Sequence, residues 1–139
     1  MRNNRDVLLL EDDRVDAMTI ERVFKQLGIP NCVVFCTDGV EGVEYLNENR
    51  GTLPAIVLLD INMPRMNGIE FLRFIRNDPD FRKLPVVILT TSTEEQDKIE
   101  SFELGISGYM VKPVDYDKFV EMIQVIIKYW RLSEFPQED

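Results

Sequence analysis

Histidine is missing altogether, and cysteine occurs only twice, at Cys32 and Cys36. With two thiols and no imidazole, a zinc site is excluded. Placed four apart on a strand-like run, the two cysteines point to one face and lie too far apart to bridge, which makes them buried free thiols. Basic residues are short as well. The 16 Lys and Arg face 25 Asp and Glu, and a formal charge of -9 is the wrong sign for a nucleic-acid partner. The one basic cluster, Arg73, Arg76, Arg82 and Lys83, reads as a solvated helix face and loop. No apolar run is long enough to cross a bilayer, and the stretch at 7–10 ends at once in acids, so it is no signal-peptide core. These absences predict a cytoplasmic protein with no membrane partner. Repeats, linkers and low-complexity segments are absent too, and 139 residues suffice for one domain but not two.

What remains is an alternation. Five apolar runs, at 7–10, 32–36, 55–59, 86–89 and 108–111, read as strands buried on both faces. Helical patterns separate them. Ala17, Ile20, Phe24 and Leu27 fall at helical spacing and stop at Gly28, and further helices are expected over 40–47 and 69–76. A fourth opens at Ser92-Thr-Glu-Glu95, where Ser92 and Glu95 fit a capping box, and ends before Gly105. The last spans 116–131, with Phe119, Met122, Ile123, Ile126 and Trp130 on one stripe. Five repeated βα units predict an α/β fold, a doubly wound five-stranded parallel sheet in the flavodoxin-like order 2-1-3-4-5.

Such a sheet binds ligands at the carboxyl ends of its strands. Here the first strand ends in Glu11, Asp12 and Asp13, the third in Asp60, the fourth in Thr90 and the fifth in Lys112. Taken singly, Asp13 reads as a helix cap, Thr90 as a strand residue and Lys112 as a surface charge. Together they place three carboxylates, a hydroxyl and an ammonium in one crevice. Glu11, Asp12 and Asp60 repel one another, and some stay protonated unless a cation joins them. An all-oxygen site suits Mg²⁺ (or Mn²⁺). With the ion present Asp60 can act as a nucleophile, and an attached phosphoryl group meets the ion, Lys112, and the Thr90 hydroxyl or a backbone N–H.

At this point the chain resembles the receiver domains of two-component response regulators. The resemblance rests on LLLED at 8–12, LLDINMPRMNG at 58–68, PVVILTT at 85–91 and GISGYMVKP at 105–113, and covers residues 7 to about 130. It implies that Asp60 is the phosphorylated aspartate and that Glu11 and Asp12 are metal-site acids. It implies further that Asn62 offers its backbone carbonyl to Mg²⁺, that Thr90 is the switching hydroxyl and that Lys112 pairs with phosphate. Tyr109 matches the aromatic that turns inward on activation, against the plainer reading of a half-buried strand residue. Pro113 is expected to follow a cis peptide bond, and Gly68 to let the chain turn into the third helix.

With no histidine the chain cannot carry a phosphohistidine donor, so a separate histidine kinase, phosphotransfer protein or small phosphodonor is implied. Residues 1–131 form the receiver domain and 132–139 a short tail, too short for an output domain. Output is then a protein contact, switched through the face of the fourth helix, fifth strand and fifth helix. The downstream protein is not identified. KYWRL at 128–132 and SEFP at 133–136 further resemble receivers partnered with bacterial phytochromes. If the tail is an interface, a homodimer through the fifth helix is expected; Trp130, Leu132 and Phe135 folding back on their own domain is the alternative. Two rival functions stay open. A haloacid-dehalogenase-type phosphatase wants an acid where Asn62 stands and a cap that no segment can supply. A phosphate-independent module on the same fold would be free to lose Asp60 or Lys112, yet both are present. The expectation is a phosphoacceptor switch, not an enzyme, with only slow loss of its own phosphate.

Overall fold

Val7–Leu10, strand β1, is four apolar residues without a polar break, as a strand sandwiched between two layers requires. In the computed structural model, which describes residues 5–134, it lies one strand in from an edge of the sheet. Around it run α1 (Arg14–Gln26), β2 (Val33–Cys36), α2 (Gly39–Glu48), β3 (Ile56–Leu59), α3 (Gly68–Asn77), β4 (Val86–Thr90), α4 (Glu95–Glu103), β5 (Gly108–Val111) and α5 (Tyr116–Leu132). The strands are parallel in the order 2-1-3-4-5, as expected.

Alternation along the central strands sends side chains to two cores. Val7, Leu9, Ile56 and Leu58 face α1 and α5, where Ile20, Phe24, Phe119, Ile123, Ile126 and Trp130 close over them. Leu8, Leu10, Val57 and Leu59 face the other layer, against Leu46, Phe71, Leu72 and Ile75. Met122 is only partly buried at the margin of the first core. Trp130 is thus committed to its own domain, whereas Leu132 points outward; Phe135 and Pro136 lie outside the described residues.

Several local expectations are corrected. β2 and β5 are edge strands and only partly covered, because each has a neighbour on one side alone. β2 begins at Val33, so Cys32 falls outside it and is exposed, while Cys36 is buried; both are free. Burial, with Glu41 and Asp38 nearby, pushes the Cys36 thiol up to about 12, leaving it unreactive. Arg76 is not solvated. Its guanidinium donates to the carbonyls of Leu104 (2.6 Å), Leu84 (2.9 Å), Arg82 (3.1 Å) and Gly105 (3.2 Å), tying α3 to the end of α4, and Arg73 pairs with Glu100. No cis peptide occurs among the described residues, so the bond before Pro113 is trans, the form an X–Pro bond slightly prefers.

The capping box sits on a different helix from the one expected. Asn67 accepts the Glu70 N–H (2.9 Å), and the Glu70 carboxylate accepts the Asn67 N–H (3.0 Å), so it opens α3. α4 begins after Glu94 with no side-chain cap, because Ser92 is engaged elsewhere. Asn67→Ala is expected to cost about 1 kcal/mol, read as a lower urea midpoint at unchanged slope.

Candidate functional site

Strand register levels the reactive ends. Leu10 pairs with Leu59, and the Asp60 N–H donates to the Leu10 carbonyl (2.9 Å), which sets Asp60 beside Glu11. Thr90 pairs with Val111, and the Lys112 N–H returns to the Thr90 carbonyl (2.8 Å). Carboxylate oxygens of Glu11, Asp12 and Asp60 lie within 4.8 Å of one another. Glu11 and Asp60 are buried and Asp12 is exposed, so the cluster has a closed floor and an open mouth.

Lys112 reaches over this cluster. Its ammonium donates to Glu11 Oε1 (2.6 Å), Asp16 Oδ2 (2.9 Å) and, more loosely, Asp60 Oδ2 (3.4 Å). Burial disfavours the lysine's charge, but its bonds to Glu11 and Asp16 more than offset that and hold it protonated above the usual range. Burial pushes the Glu11 carboxyl up to about 8; the hydrogen bond from Lys112 opposes this, and the charge of Asp60 adds to it. Of the repulsion expected among the three acids, the part between Asp60 and Glu11 is thus felt at Glu11, behind the larger effect of burial. The donor set is all oxygen, carries excess negative charge and opens to water, which fits a hard divalent cation and no softer metal.

The loop after β3 is braced by contacts that pattern reading missed. Arg65, at a φ of 60°, donates from Nε to Asp38 Oδ2 (2.7 Å), and the Gly39 N–H donates to the Met66 carbonyl (2.9 Å). Burial alone would raise the Asp38 carboxyl, yet the Arg65 guanidinium and the backbone N–H of Glu41 hold it below the usual range. Gly68 was expected to serve a turn. Its role is instead close approach, for a Cβ there would fall 2.3 Å from the Asp60 carbonyl oxygen. The Asn62 N–H lies 3.3 Å from Asp60 Oδ1, and the Asn62 side chain is exposed. Asp13 does cap α1, accepting from Val15 (2.9 Å) and Asp16 (3.1 Å).

Thr90 is fully buried, and its Oγ1 accepts the Ser92 N–H (3.2 Å). Tyr109 is half-buried, and its hydroxyl donates to the Ser92 carbonyl (3.0 Å). Both side chains therefore rest on one residue, whose own hydroxyl is bound to Asp97 (2.6 Å). Sequence reading named Thr90 and Tyr109 but not Ser92 as the piece between them. Asp16 was missed as well.

Fold and site define a doubly wound α/β protein with an acidic, cation-suited crevice at its topological switch point. The response regulator receiver domain family matches residues 7–124, and the chain belongs to that family. It is 34% identical over 127 residues to the probable methanogenesis regulatory protein FilR2 of Methanothrix harundinacea, covering 89% of this chain and 82% of that one. It is 33% identical over 128 residues to the response regulator Rcp1 of Synechocystis, covering 89% and 87%. The Mn²⁺-bound structure of Rcp1 superposes with a TM-score of 0.88 over 96% of this chain and 99% of that one, at 32% identity. The phosphorylated cyanobacterial phytochrome response regulator RcpA gives 0.90 over 96% and 99%, at 29% identity. The receiver-domain resemblance and the strand order are borne out, and no helix among the described residues is long and apolar enough to cross a membrane.

Proposed function

We propose that this chain is a cytoplasmic response regulator receiver that takes a phosphoryl group on Asp60 from a partner histidine kinase. The observation that carries it is a buried strand-end aspartate within reach of both an acidic cluster and a lysine ammonium. Glu11, Asp12, Asp60 and the Asn62 backbone carbonyl would hold Mg²⁺ or Mn²⁺. Such an ion supplies charge neutralisation for the carboxylates and for the transferred oxygens. An Asp60 carboxylate oxygen forms a bond to phosphorus as the phosphorus–nitrogen bond to the kinase histidine breaks, and the imidazole leaves. Lys112 pairs with one phosphoryl oxygen. Thr90 turns its hydroxyl to another and gives up the Ser92 N–H. Tyr109, held by the same Ser92, is then free to change its rotamer. This couples the site to the face of α4, β5 and α5, where Phe102 and Val111 are exposed. Phosphate loss is slow self-hydrolysis, with no turnover of other esters.

Residues 1–131 act as the receiver and 132–139 as a tail. The relation to RcpA, a cyanobacterial phytochrome response regulator, supports a bacterial phytochrome as the kinase. Val125, Tyr129 and Leu132, exposed along α5, support a homodimer through that helix. Intact mass after treatment with acetyl phosphate tests the central reading. An added phosphoryl mass is expected with Mg²⁺ and none with a chelator. An unmodified mass in both would move the function to a phosphate-independent binding module. Native mass of the same samples tests the dimer, and a monomer at high concentration in every state would remove it.

A further inference from the structure

Lys112 has three ammonium protons, and three carboxylates take them. Two of these, on Glu11 and Asp60, belong to the cluster whose oxygens can meet on one cation; the third, on Asp16, does not. Asp16 sits in the first turn of α1, where its own N–H is fixed by the Asp13 cap and its charge is favoured by the helix N-terminus. Its side chain is 26% exposed, against 1% for Glu11 and 7% for Asp60, so it holds the lysine from the solvent side of the crevice. The lysine is held 2.6 Å from Glu11, 2.9 Å from Asp16 and, more loosely, 3.4 Å from Asp60.

We propose that Asp16 is a positioning residue that draws the Lys112 ammonium away from Asp60, leaving that carboxylate more open to a divalent ion and then competing with the phosphoryl group for the same lysine. Were Asp16 neutral, Lys112 would settle fully on Glu11 and Asp60 and cancel the charge that attracts the ion. Once a phosphoryl group is on Asp60, the sign reverses. A lysine released from Asp16 reaches the new oxygens more readily, and one fewer negative charge faces them. The inference rests on Asp60 being the acceptor.

The test uses Asp16→Asn with two readouts. Free Mn²⁺, followed by electron paramagnetic resonance, is expected to show binding about fivefold weaker than wild type, the scale of one nearby charge in a partly solvated site. Bound beryllofluoride, followed by ¹⁹F resonance at saturating Mg²⁺, is expected to be held about threefold more tightly. Opposite signs in one variant are not a result that misfolding can give. Adding Lys112→Ala separates action through the lysine from direct attraction, and the Mn²⁺ effect of Asp16→Asn should then shrink to less than about twofold. An undiminished effect without the lysine, or Mn²⁺ binding unchanged by Asp16→Asn while wild type binds normally, would overturn this role alone. Wild type that binds neither Mn²⁺ nor beryllofluoride would overturn the acceptor reading and this role with it.

Discussion

Asp60→Asn is expected to take up no phosphoryl group, to bind Mg²⁺ at least tenfold more weakly, and to melt higher than wild type when metal is absent and the pH is above about 8, where Glu11 is ionised. The first effect follows from chemistry, since an amide oxygen carries no charge with which to attack phosphorus. The second follows from removing one of the three carboxylates that converge within 4.8 Å. The third runs against the usual result of altering a buried residue. Asn keeps the shape of Asp and can still accept the Asn62 N–H, which lies 3.3 Å from Oδ1. What it loses is repulsion with Glu11 and the longest of the three Lys112 contacts, at 3.4 Å. Above about pH 8, where Glu11 is ionised as well, repulsion between close, poorly solvated carboxylates outweighs a contact that long, so a gain of about 1 kcal/mol is expected there without metal. With saturating Mg²⁺ the order should reverse, because wild type then gains the larger binding energy. Thermal melts of both proteins, with a chelator and with Mg²⁺, check the crossing. A variant that melts lower in both conditions would mean that the Lys112 pairing dominates the site.

That crossing depends on strand ends, and strand ends were the readable part of this chain. Four apolar runs closed by Glu11, Asp60, Thr90 and Lys112 have a period and a polar stop, and both are one-dimensional signals. The parallel sheet turns them into neighbours with no further information. Asp16 is different. It lies 96 residues from Lys112 and meets it only because the first turn of α1 leans over the crevice, an orientation that helical periodicity does not encode. Ser92 shows a second limit. Its spacing to Glu95 fits a capping box, but its N–H and carbonyl are taken by Thr90 and Tyr109, so the helix starts later and uncapped. Local propensity lost to a tertiary contact there, at the residue that joins Thr90 and Tyr109. Gly68 was found for the wrong reason. The pattern announces a glycine, but only coordinates show whether it serves a turn or a close approach to the Asp60 carbonyl.

The loop that follows Asp60 is held from its far side, and this bears on how little of it needs to move. Asp38 and Gly39, at the start of α2, grip Arg65 and Met66, while the Gly68 N–H holds the Ile61 carbonyl (2.9 Å). The Asp60 side of the crevice is therefore fixed in place. The β4–α4 side rests on the Thr90, Ser92 and Tyr109 hydrogen bonds, and α4 has no side-chain cap. A charge arriving at Asp60 meets one rigid wall and one adjustable wall. The adjustable one leads to α4 and β5, which is where a change would have to emerge.

Without metal, the protein is expected to lose stability as pH rises from about 5 to about 8, and Mg²⁺ is expected to abolish that loss. The Glu11 carboxyl is pushed from its ordinary 4.5 up to about 8, chiefly by burial. Below 4.5 folded and unfolded chains are both protonated there, and the folded state keeps its full advantage. Between the two values only the folded chain holds the proton, so stability falls with rising pH and the loss is complete above 8. An effect on the order of 2 kcal/mol is expected, less than the full span because Lys112 can follow the new charge. The raised Lys112 value acts only in alkali, above its ordinary 10.5, and the lowered Asp38 value only in acid, below 3.8, so neither intrudes on this window. A divalent ion binds the ionised carboxylate and must displace the proton. Its affinity should therefore climb up to about tenfold per pH unit until pH 8, with close to one proton released per ion at pH 6.5. Calorimetry in two buffers of different ionisation enthalpy reads that proton directly, and melts at three pH values read the slope. Glu11→Gln should flatten both. A metal-free wild type whose stability holds or rises across this range would mean that Glu11 is ionised in the folded state, its hydrogen bond from Lys112 having outweighed burial.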